Sequence, residues 1–346
     1  MKPKHPIQIE IETKIRSQHK EQSTADAYWG WVNRYLAFCK SSKIGKETSA
    51  EDAVTRFLSR LANVDNVSAN TQNQAFSALC YFYGTVRNRP LVGINAVRAK
   101  RDDAVRSILN RDELLAMFAN LSGIPLLCSR MMYASGFRIG ELGNLRIKDI
   151  DFDRCQIQVC RSKHGKTRVC QFPESVHEHV ARQIDSMRVL HAADRADGLN
   201  GVSLPDAYGR KCPSARMDFG WWYLFTADEY SRCPVTGKMY RHHRDMDHIA
   251  RLIKRGCKEA GITKHITSHC LRHTYCTHSI EAGAPVHFVQ QLMGHDSLET
   301  TQIYAHASIN GATSVKSPLE SLLANPQAVV ETRKSNEKPT LRIFAG

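Results

Sequence analysis

The sequence lacks the features that most directly indicate a membrane-bound, exported or nucleotide-driven protein. No run of 18 or more of its 346 residues is apolar, and the charged start of the chain has no apolar segment typical of a secretory signal. No P-loop motif for nucleotide phosphates occurs, and no obvious group of carboxylates predicts a magnesium site. We therefore expect a cytoplasmic protein that acts without a membrane or a nucleotide.

Paired cysteines are missing and acidic residues are few. The eleven cysteines include no C-x-x-C pair, which favours reduced, buried thiols over a disulfide framework. The 34 acidic residues face 48 lysines and arginines, so the formal net charge is +14. A surplus of this size is typical of a protein that binds a polyanion, most often nucleic acid, although a merely basic protein would also have it.

One segment has the residue types of a zinc site without the usual spacing. The stretch HCLRHTYCTH contains His269, Cys270, His273, Cys276 and His278. Histidines four residues apart on a helix can ligate zinc together. However, no glutamate completes an H-E-x-x-H motif, and the other cysteines occur singly. We therefore predict no metal site.

The chain is long enough for two domains. Apolar residues at helical spacing follow candidate helix starts at Ser23, at Ser49 and at Ser68 or Asn70, and the first 20 residues are expected to be only partly helical. This pattern predicts an all-α domain of three or four helices over residues 1–88. A basic linker follows at residues 89–107, and its cationic residues include Arg98, Lys100 and Arg101. This linker is either a solvated connection or a strap that contacts phosphates.

A second domain is predicted over residues 108–324, with a tail at 325–346. Helices are expected at about 111–121, 124–135, 175–195, 246–260, 269–282, 285–293 and 297–306. Alternating residues at 155–160 and 168–172 predict a β-hairpin. Residues 196–245 form a long insertion, in which the aromatic stretch GWWYLF argues against disorder. The predicted fold class is mainly α with a small β-hairpin or sheet (α+β).

Six polar residues of the second domain could act together on a phosphate. They are Arg138, Lys163, His269, Arg272, His295 and Tyr304. Each alone has an ordinary explanation, since a lysine in a turn is usually exposed and a tyrosine in an amphipathic helix usually packs. Together they offer arginines for the non-bridging oxygens, histidines as donors or proton shuttles, and a lysine to protonate a departing oxygen. Cationic neighbours would also activate a tyrosine hydroxyl, whose ordinary pKa is about 10.

The segments around these residues resemble the motifs of the tyrosine recombinase family. SGFRIGELGNLRIKDIDF resembles the box of the first arginine, SKHGKTR the lysine hairpin, SHCLRHTYCTH the H-x-x-R box, and LMGHDSLETTQIYAH the final histidine and nucleophilic tyrosine. The turn SKHGK departs from the usual GKGxK. The resemblance implies a helical core-binding domain and a catalytic domain that close around DNA like a clamp. It implies catalytic roles for the six residues, and a supporting role for Glu141.

The insertion is similar to that of the integron integrases, a subgroup of this family. The matching segments are GVSLPDAYGRKCPSA, GWWYLF, CPVTGKMYRHH and the more distal VKSPLESL. The resemblance implies that gene cassettes are integrated and excised through a 3′-phosphotyrosyl intermediate, without a cofactor, at sites that include a folded single strand called attC. The residues expected to read this DNA are Trp221, Lys211, Pro234, His242 and His243. The alternative for Trp221 and Trp222 is a local core, because one of the two is expected to pack inward.

The family resemblance also implies an assembly of four protomers on DNA. A C-terminal helix at 317–324 would join neighbouring protomers through Leu319, Leu322 and Leu323. Two alternatives remain open. A phage-type integrase or a dimer-resolving recombinase would act on duplex sites, and the insertion at 196–245 speaks against it. A catalytically silent DNA-binding relative would not need all six polar residues.

Overall fold

A computed structural model of the chain describes residues 4–18, 20–45, 47–100, 107–160, 167–233 and 237–294. The chain divides into two compact units, residues 1–105 and 106–346. Both units are built mainly from helices, and the second contains two small antiparallel sheets. The predicted fold class, mainly α with a small β component, is confirmed.

In the described part of the N-terminal unit, the chain forms four α-helices. They are α1 (Pro6–Ser17), α2 (Gln22–Ser41), α3 (Ala50–Asn63) and α4 (Ala69–Tyr81), and a short π-helix at Phe82–Val86 extends the last one. Ser49 and Ser68 begin α3 and α4 as predicted, because each hydroxyl accepts a hydrogen bond from the amide three residues later. The segment before Ser23, expected to be only partly helical, forms α1 because Ile11 and Ile15 are buried one turn apart.

The helix start predicted at Ser23 is wrong. Helix α2 begins at Gln22, and Glu21 is its N-cap residue. The Ser23 hydroxyl donates to the Glu21 carboxylate at 3.2 Å. The Ser23 hydroxyl is therefore bonded to the Glu21 side chain and does not cap the free amides at the start of the helix.

Residues 89–100, which the sequence assigns to a linker, lie along the core of the N-terminal unit. Leu91 and Ile94 pack against that core. The amide of buried Gln72 holds the next residues, since its Nε2 donates to the Val97 carbonyl at 2.6 Å and its Oε1 accepts from the Ala99 amide at 3.0 Å. This stretch is therefore anchored rather than merely solvated.

The second unit has a helical core with a three-stranded sheet on it. Its helices are α5 (Arg111–Ala119), α6 (Gly123–Ser135), α7 (Ile139–Asn144), α8 (His177–Ala196), α9 (Asp206–Lys211), α10 (Met246–Glu259), α11 (Ser268–Glu281) and α12 (Val286–Met293). The capping box of Asn110 and Glu113 begins α5. Helix α6 packs against both α10 and α11 in the centre of the unit.

The sheet contains the predicted hairpin. Strand β1 (Ile150–Asp151) pairs with β2 (Gln156–Val159), which pairs with β3 (Arg168–Gln171). In the hairpin, Ile157 lies opposite Cys170, and Val159 lies opposite Arg168. These four residues are buried while their neighbours along each strand are exposed, so one face of the hairpin covers the core. The turn between the strands lies outside the described residues.

The insertion is structured over the residues that are described. It contains α9, two short 3₁₀ turns, and the antiparallel strands β4 (Thr226–Arg232) and β5 (Met239–His243). Arg241 of β5 forms a buried ion pair with Asp194 of α8, with Nη2 to Oδ1 at 2.6 Å and Nε to Oδ2 at 2.5 Å. The aromatic residues thus belong to an ordered subdomain, as the sequence predicted. Within the described ranges, no helix is long and apolar enough to cross a membrane.

Candidate active site

Arg138 is positioned by the sharp end of a helix. Helix α6 ends at Gly136, whose φ of +67° is the left-handed conformation that glycine tolerates. A Cβ there would lie 2.7 Å from the Tyr275 ring, so the close packing also requires glycine. Arg138 then becomes the N-cap residue of α7. Its backbone amide and its Nη1 donate to the two oxygens of Glu141, each at 2.8 Å, while 29% of its side chain stays exposed.

Arg272 lies behind Arg138 with its side chain only 1% exposed. It comes from α11, and it donates to the Gly136 carbonyl at 2.5 Å and to the Met293 carbonyl. These carbonyls stand at the C-terminal ends of α6 and α12, where the helix dipoles favour a cation. Burial, and then the charges of Arg138 and Arg168, lower the pKa of Arg272 to about 10. The group therefore remains protonated near neutral pH.

Glu141 joins three arginines. Its Oε1 accepts from Arg138, and its Oε2 accepts from Arg168 Nη2 at 2.7 Å. Arg272 Nη1 lies 3.9 Å from the same Oε2. Only 7% of the Glu141 side chain is exposed, so the four groups form a largely buried cluster with two excess positive charges. Such a cluster is suited to hold a phosphate.

Arg168 was not among the residues singled out from the sequence. The signal was present, because the alternation of β3 places Arg168 on the same face as buried Cys170. A buried arginine requires an anionic partner, and the nearby acidic residue Glu141 had already been noted.

The last described turn packs on this cluster. Helix α12 ends at Gly294, whose φ is +60°. The Cys170 thiol points to the Leu292 carbonyl at 3.8 Å, and burial raises the pKa of that thiol to about 11. Cys170 is therefore neutral and unreactive at physiological pH. The chain that continues from Gly294 leads to His295 and Tyr304, which lie outside the described residues.

His269 lies on α11, one helical turn before Arg272. Its ring meets the His273 ring edge to face at a centroid distance of 4.8 Å; His269 is exposed and His273 is half-buried. In the part of the chain that the structure describes, no group of three or more His, Cys, Asp or Glu side chains could hold a metal ion.

The structure thus brings together part of the predicted site. Arg138 and Arg272 meet through Glu141 and the Gly136 turn, and His269 lies on the same helix as Arg272. The predicted site residues that lie outside the described ranges are Lys163, His295, Tyr304, Pro234 and Arg101.

The candidate DNA-reading residues of the insertion contact neighbouring side chains. Trp221 is partly exposed, with its ring stacked on Tyr208 at 4.4 Å and Lys148 Nζ 4.5 Å from its centroid. Trp222 is 1% exposed, so it is the tryptophan that packs inward. His242 Nδ1 lies 3.1 Å from the Ser203 hydroxyl, and burial lowers the pKa of His242.

The other candidates range from internally bonded to exposed. His243 Nδ1 lies 2.7 Å from the Arg244 carbonyl, whereas Lys211 is exposed at the end of α9. In the N-terminal unit, Arg98 and Lys100 are exposed, and the Arg98 guanidinium lies 5.8 Å from the Phe76 ring centroid. Lys211, Arg98 and Lys100 thus have the exposure that a phosphate contact requires.

Solved structures share the fold. The Tn1549 transposon integrase in complex with transposon right end DNA matches with a TM-score of 0.57 at 15% identity, over 94% of this chain and 99% of that one. A lambda integrase dimer bound to a COC′ core site also gives 0.57, at 16% identity, over 87% of this chain and 94% of that one. The fold class is therefore that of the integrases.

Sequence comparison identifies the family. Residues 107–310 match the phage integrase family, and residues 9–92 match its N-terminal SAM-like domain. An integrase/recombinase of Escherichia coli is 35% identical over 90% of this chain and 93% of its own length. A tyrosine recombinase XerA of Thermococcus kodakarensis is 28% identical over 87% and 90%. The chain belongs to the phage integrase family, the tyrosine recombinases, which carry out site-specific DNA recombination.

Proposed function

We propose that this chain is a recombinase of the integron type, and that Tyr304 is its nucleophile. The observation that supports it most strongly is the buried cluster of Arg138, Glu141 and Arg272 inside the segment that matches the family. Arg138 presents a partly exposed guanidinium, and Arg272 places a fixed positive charge behind it. A phosphate held there would gain charge stabilisation as negative charge develops on its oxygens.

The proposed reaction exchanges one phosphoester for another. The Tyr304 hydroxyl oxygen bonds to the phosphorus of a DNA phosphodiester, and the bond to the 5′-oxygen breaks. The phenol loses its proton to a histidine of the site, and Lys163 donates a proton to the departing 5′-oxygen. A 5′-hydroxyl from the second DNA then attacks the phosphotyrosine and releases Tyr304. Because one ester replaces another at each step, neither a nucleotide nor another cofactor is consumed.

The arrangement of the insertion supports the proposal that the DNA substrate includes a folded single strand. It presents Trp221 partly exposed beside Lys148 and Tyr208, packed against a small core of Val202, Trp222 and Tyr223. Aromatic faces next to cations hold unstacked bases, with about 1–3 kcal/mol for each stacked base. Pro234, Lys211, His242 and His243 are proposed as further base or phosphate contacts. Arg98, Lys100 and Arg101, which precede the second unit in the sequence, are also proposed as phosphate contacts.

The test is covalent capture on two forms of one DNA. Purified protein is incubated with a folded attC bottom strand and with its duplex form at matched salt, because salt alone changes the affinity. Wild type is expected to give an SDS-resistant complex with the folded strand, and Tyr304→Phe is expected to give none. A complex that persists in Tyr304→Phe would exclude Tyr304 as the nucleophile.

The same experiment separates the alternatives. Equal binding and cleavage of duplex and folded strand would favour a recombinase of duplex sites. Binding without any covalent complex would favour a silent relative. A Trp221→Ala variant is expected to lose its preference for the folded strand while keeping non-specific DNA binding. Trp221→Phe, which keeps an aromatic face, is the matched control.

We also propose that four protomers assemble on two sites through residues 317–324. Leu319, Leu322 and Leu323 would provide the apolar contacts on the neighbouring protomer. A chain that ends before residue 317 should still bind and cleave one site, but should not bring two sites into one complex on a native gel. Unchanged pairing of sites would reject this role of the segment.

A further inference from the structure

Arg168 links three segments of the candidate site. Its Nη2 donates to Glu141 Oε2 at 2.7 Å, and its Nη1 donates to the Cys170 sulfur at 3.3 Å. Its aliphatic stem packs against Gly294, where a Cβ would lie 2.7 Å from Arg168 Cδ. Its side chain is 7% exposed, and its Nε is buried without a hydrogen-bond partner among the residues that the structure describes. Arg168 thus contacts the α7 start, its own strand and the α12 end.

The carboxylate of Glu141 accepts three hydrogen bonds, and none of them comes from Arg272. Oε1 accepts from Arg138 Nη1, while Oε2 accepts from the Arg138 amide and from Arg168. Arg272 Nη1 lies 3.9 Å from Oε2, beyond hydrogen-bond distance, and donates to the Gly136 carbonyl instead. The nearest carboxylate to Arg272 is therefore already satisfied by another arginine.

We propose that Arg168 is a positioning residue: by occupying Glu141 Oε2, it keeps Arg272 at 3.9 Å and prevents it from closing to a hydrogen-bonded ion pair with that carboxylate. This inference rests on the proposed function, which assigns the charge of Arg272 to the scissile phosphate. Without Arg168, the buried Glu141 carboxylate would lose one of its three hydrogen bonds and the charge that pairs with Oε2, which is costly in a buried place. Arg272 is the next cation, and a shift of about 1 Å would bring it to hydrogen-bond distance. An arginine paired in this way is less available to a phosphate.

The charges suggest a specific rescue. The native cluster holds three guanidinium groups and one carboxylate, which leaves two positive charges. Arg168→Met replaces the aliphatic stem by a similar unbranched one but removes the guanidinium, which leaves one positive charge and Glu141 free to accept a hydrogen bond from Arg272. Adding Glu141→Gln removes the competing carboxylate and restores two positive charges. A merely structural Arg168 would not be rescued by a second change in the same buried cluster, so the double variant separates the two roles.

The first measurement is the rate of covalent complex formation on the DNA strand that the wild type cleaves. Arg168→Met is expected to slow cleavage about 100-fold, the size of effect seen when one charge-stabilising donor is lost. The affinity of Arg168→Met for that DNA should change less than about threefold, because the buried Arg168 side chain does not itself reach the DNA backbone. The double variant should regain at least about tenfold in rate over Arg168→Met. No loss in Arg168→Met, or no gain in the double variant, would overturn the proposal.

If Arg168→Met does not unfold cooperatively, Glu141→Gln is compared with the double variant instead. In the Glu141→Gln background, Arg168→Met should slow covalent complex formation less than about threefold, because no carboxylate remains to capture Arg272. A larger loss would overturn the proposal.

A second measurement does not depend on DNA cleavage. The rise in thermal midpoint on adding inorganic phosphate reports oxyanion binding by the folded protein. Arg138→Gln, which removes the exposed end of the cluster, gives the rise due to phosphate bound elsewhere. Above that background, wild type and the double variant should be stabilised and Arg168→Met less so. If the wild type cleaves no DNA, the proposed function fails, and the phosphate series still decides the role of Arg168. Equal stabilisation of Arg168→Met and wild type would reject that role.

Discussion

At the scale of single residues, two left-handed glycines shape the candidate active site. Gly136 and Gly294 end the helices α6 and α12, and Arg272 donates to the carbonyls of Gly136 and of Met293. The glycines therefore turn the chain away just where the helix ends offer carbonyls to a cation. The geometry of Arg272 depends on both turns.

Gly294→Ala should lower the unfolding free energy more than an alanine at another left-handed position does. Any alanine in this left-handed conformation costs about 1 kcal/mol, and here its Cβ would also meet Arg168 Cδ at 2.7 Å. The overpacking adds about 1–3 kcal/mol to the loss in unfolding free energy. The matched control is Gly283→Ala, where φ is +90° but no atom lies within 4 Å of the added Cβ. Equal losses for the two variants in urea unfolding would show that Arg168 does not crowd Gly294.

His278 gives the second unit a pH dependence. Its ring lies 3.0 Å from the Tyr133 hydroxyl, and burial lowers its pKa below the ordinary 6.5. Near pH 6 the unfolded chain therefore binds more protons at this position than the folded chain does, so its contribution to stability rises with pH. The unfolding free energy should fall between pH 7.5 and 5.5, and less so in His278→Gln. An identical fall in that variant would assign the dependence to other groups.

The sequence identifies some of the site residues but not their arrangement. Arg138 and Arg272 stand in recognisable motifs, and Glu141 follows Arg138 at the spacing of a capping box. What the motifs do not reveal is that one carboxylate serves three arginines, because Arg168 reaches Glu141 from a strand 27 residues later. Contacts of this kind depend on how the hairpin packs against α7.

At the scale of elements, a buried ion pair anchors the insertion. Asp194 near the end of α8 is 3% exposed and binds Arg241 of β5 through both oxygens, and it also accepts from the Tyr230 hydroxyl at 2.9 Å. The pair joins the β4–β5 hairpin to the last turn of α8. The position of the hairpin relative to α8 thus depends on one carboxylate.

Asp194→Ala should therefore destabilise the second unit by about 3–5 kcal/mol, because it leaves Arg241 buried without its anion. The control is Glu178→Ala on the same helix, which removes an exposed pair with Arg182 at 3.8 Å. That change should cost less than about 1 kcal/mol. The comparison is made by urea unfolding, and a similar small loss for both variants would contradict the anchoring role.

Elements with strong local signals were predictable, and the others depended on tertiary contacts. Asn110, Ser49 and Ser68 each cap the helix predicted for them. Helix α1 was expected only in part, and the anchoring of residues 89–100 on the N-terminal unit was not foreseen. Their apolar residues are sparse and gain order by packing on a core built from other helices. One of the adjacent Trp221 and Trp222 was expected to pack inward, but the sequence does not show that the buried one is Trp222.

At the scale of the whole molecule, the net charge of +14 predicts a strong salt dependence of DNA binding. The logarithm of the affinity should fall linearly with the logarithm of salt concentration, for both folded and duplex DNA. The preference for the folded strand should change less over the same range, because stacking on aromatic faces does not release counterions. A preference that vanishes with the general affinity would indicate that charge alone distinguishes the two DNAs.

The proposed reaction forms one covalent bond between the chain and DNA, and the residue that carries this bond can be identified. The covalent complex with a short labelled strand is digested with trypsin, and the DNA-linked peptide is fragmented by mass spectrometry. Cleavage after Arg272 and Lys316 leaves Tyr275 and Tyr304 in one peptide, so buried Tyr275 is an internal control. We expect a 3′-phosphate linked to Tyr304. A linkage to any other residue, or to the 5′ end of the broken strand, would contradict it.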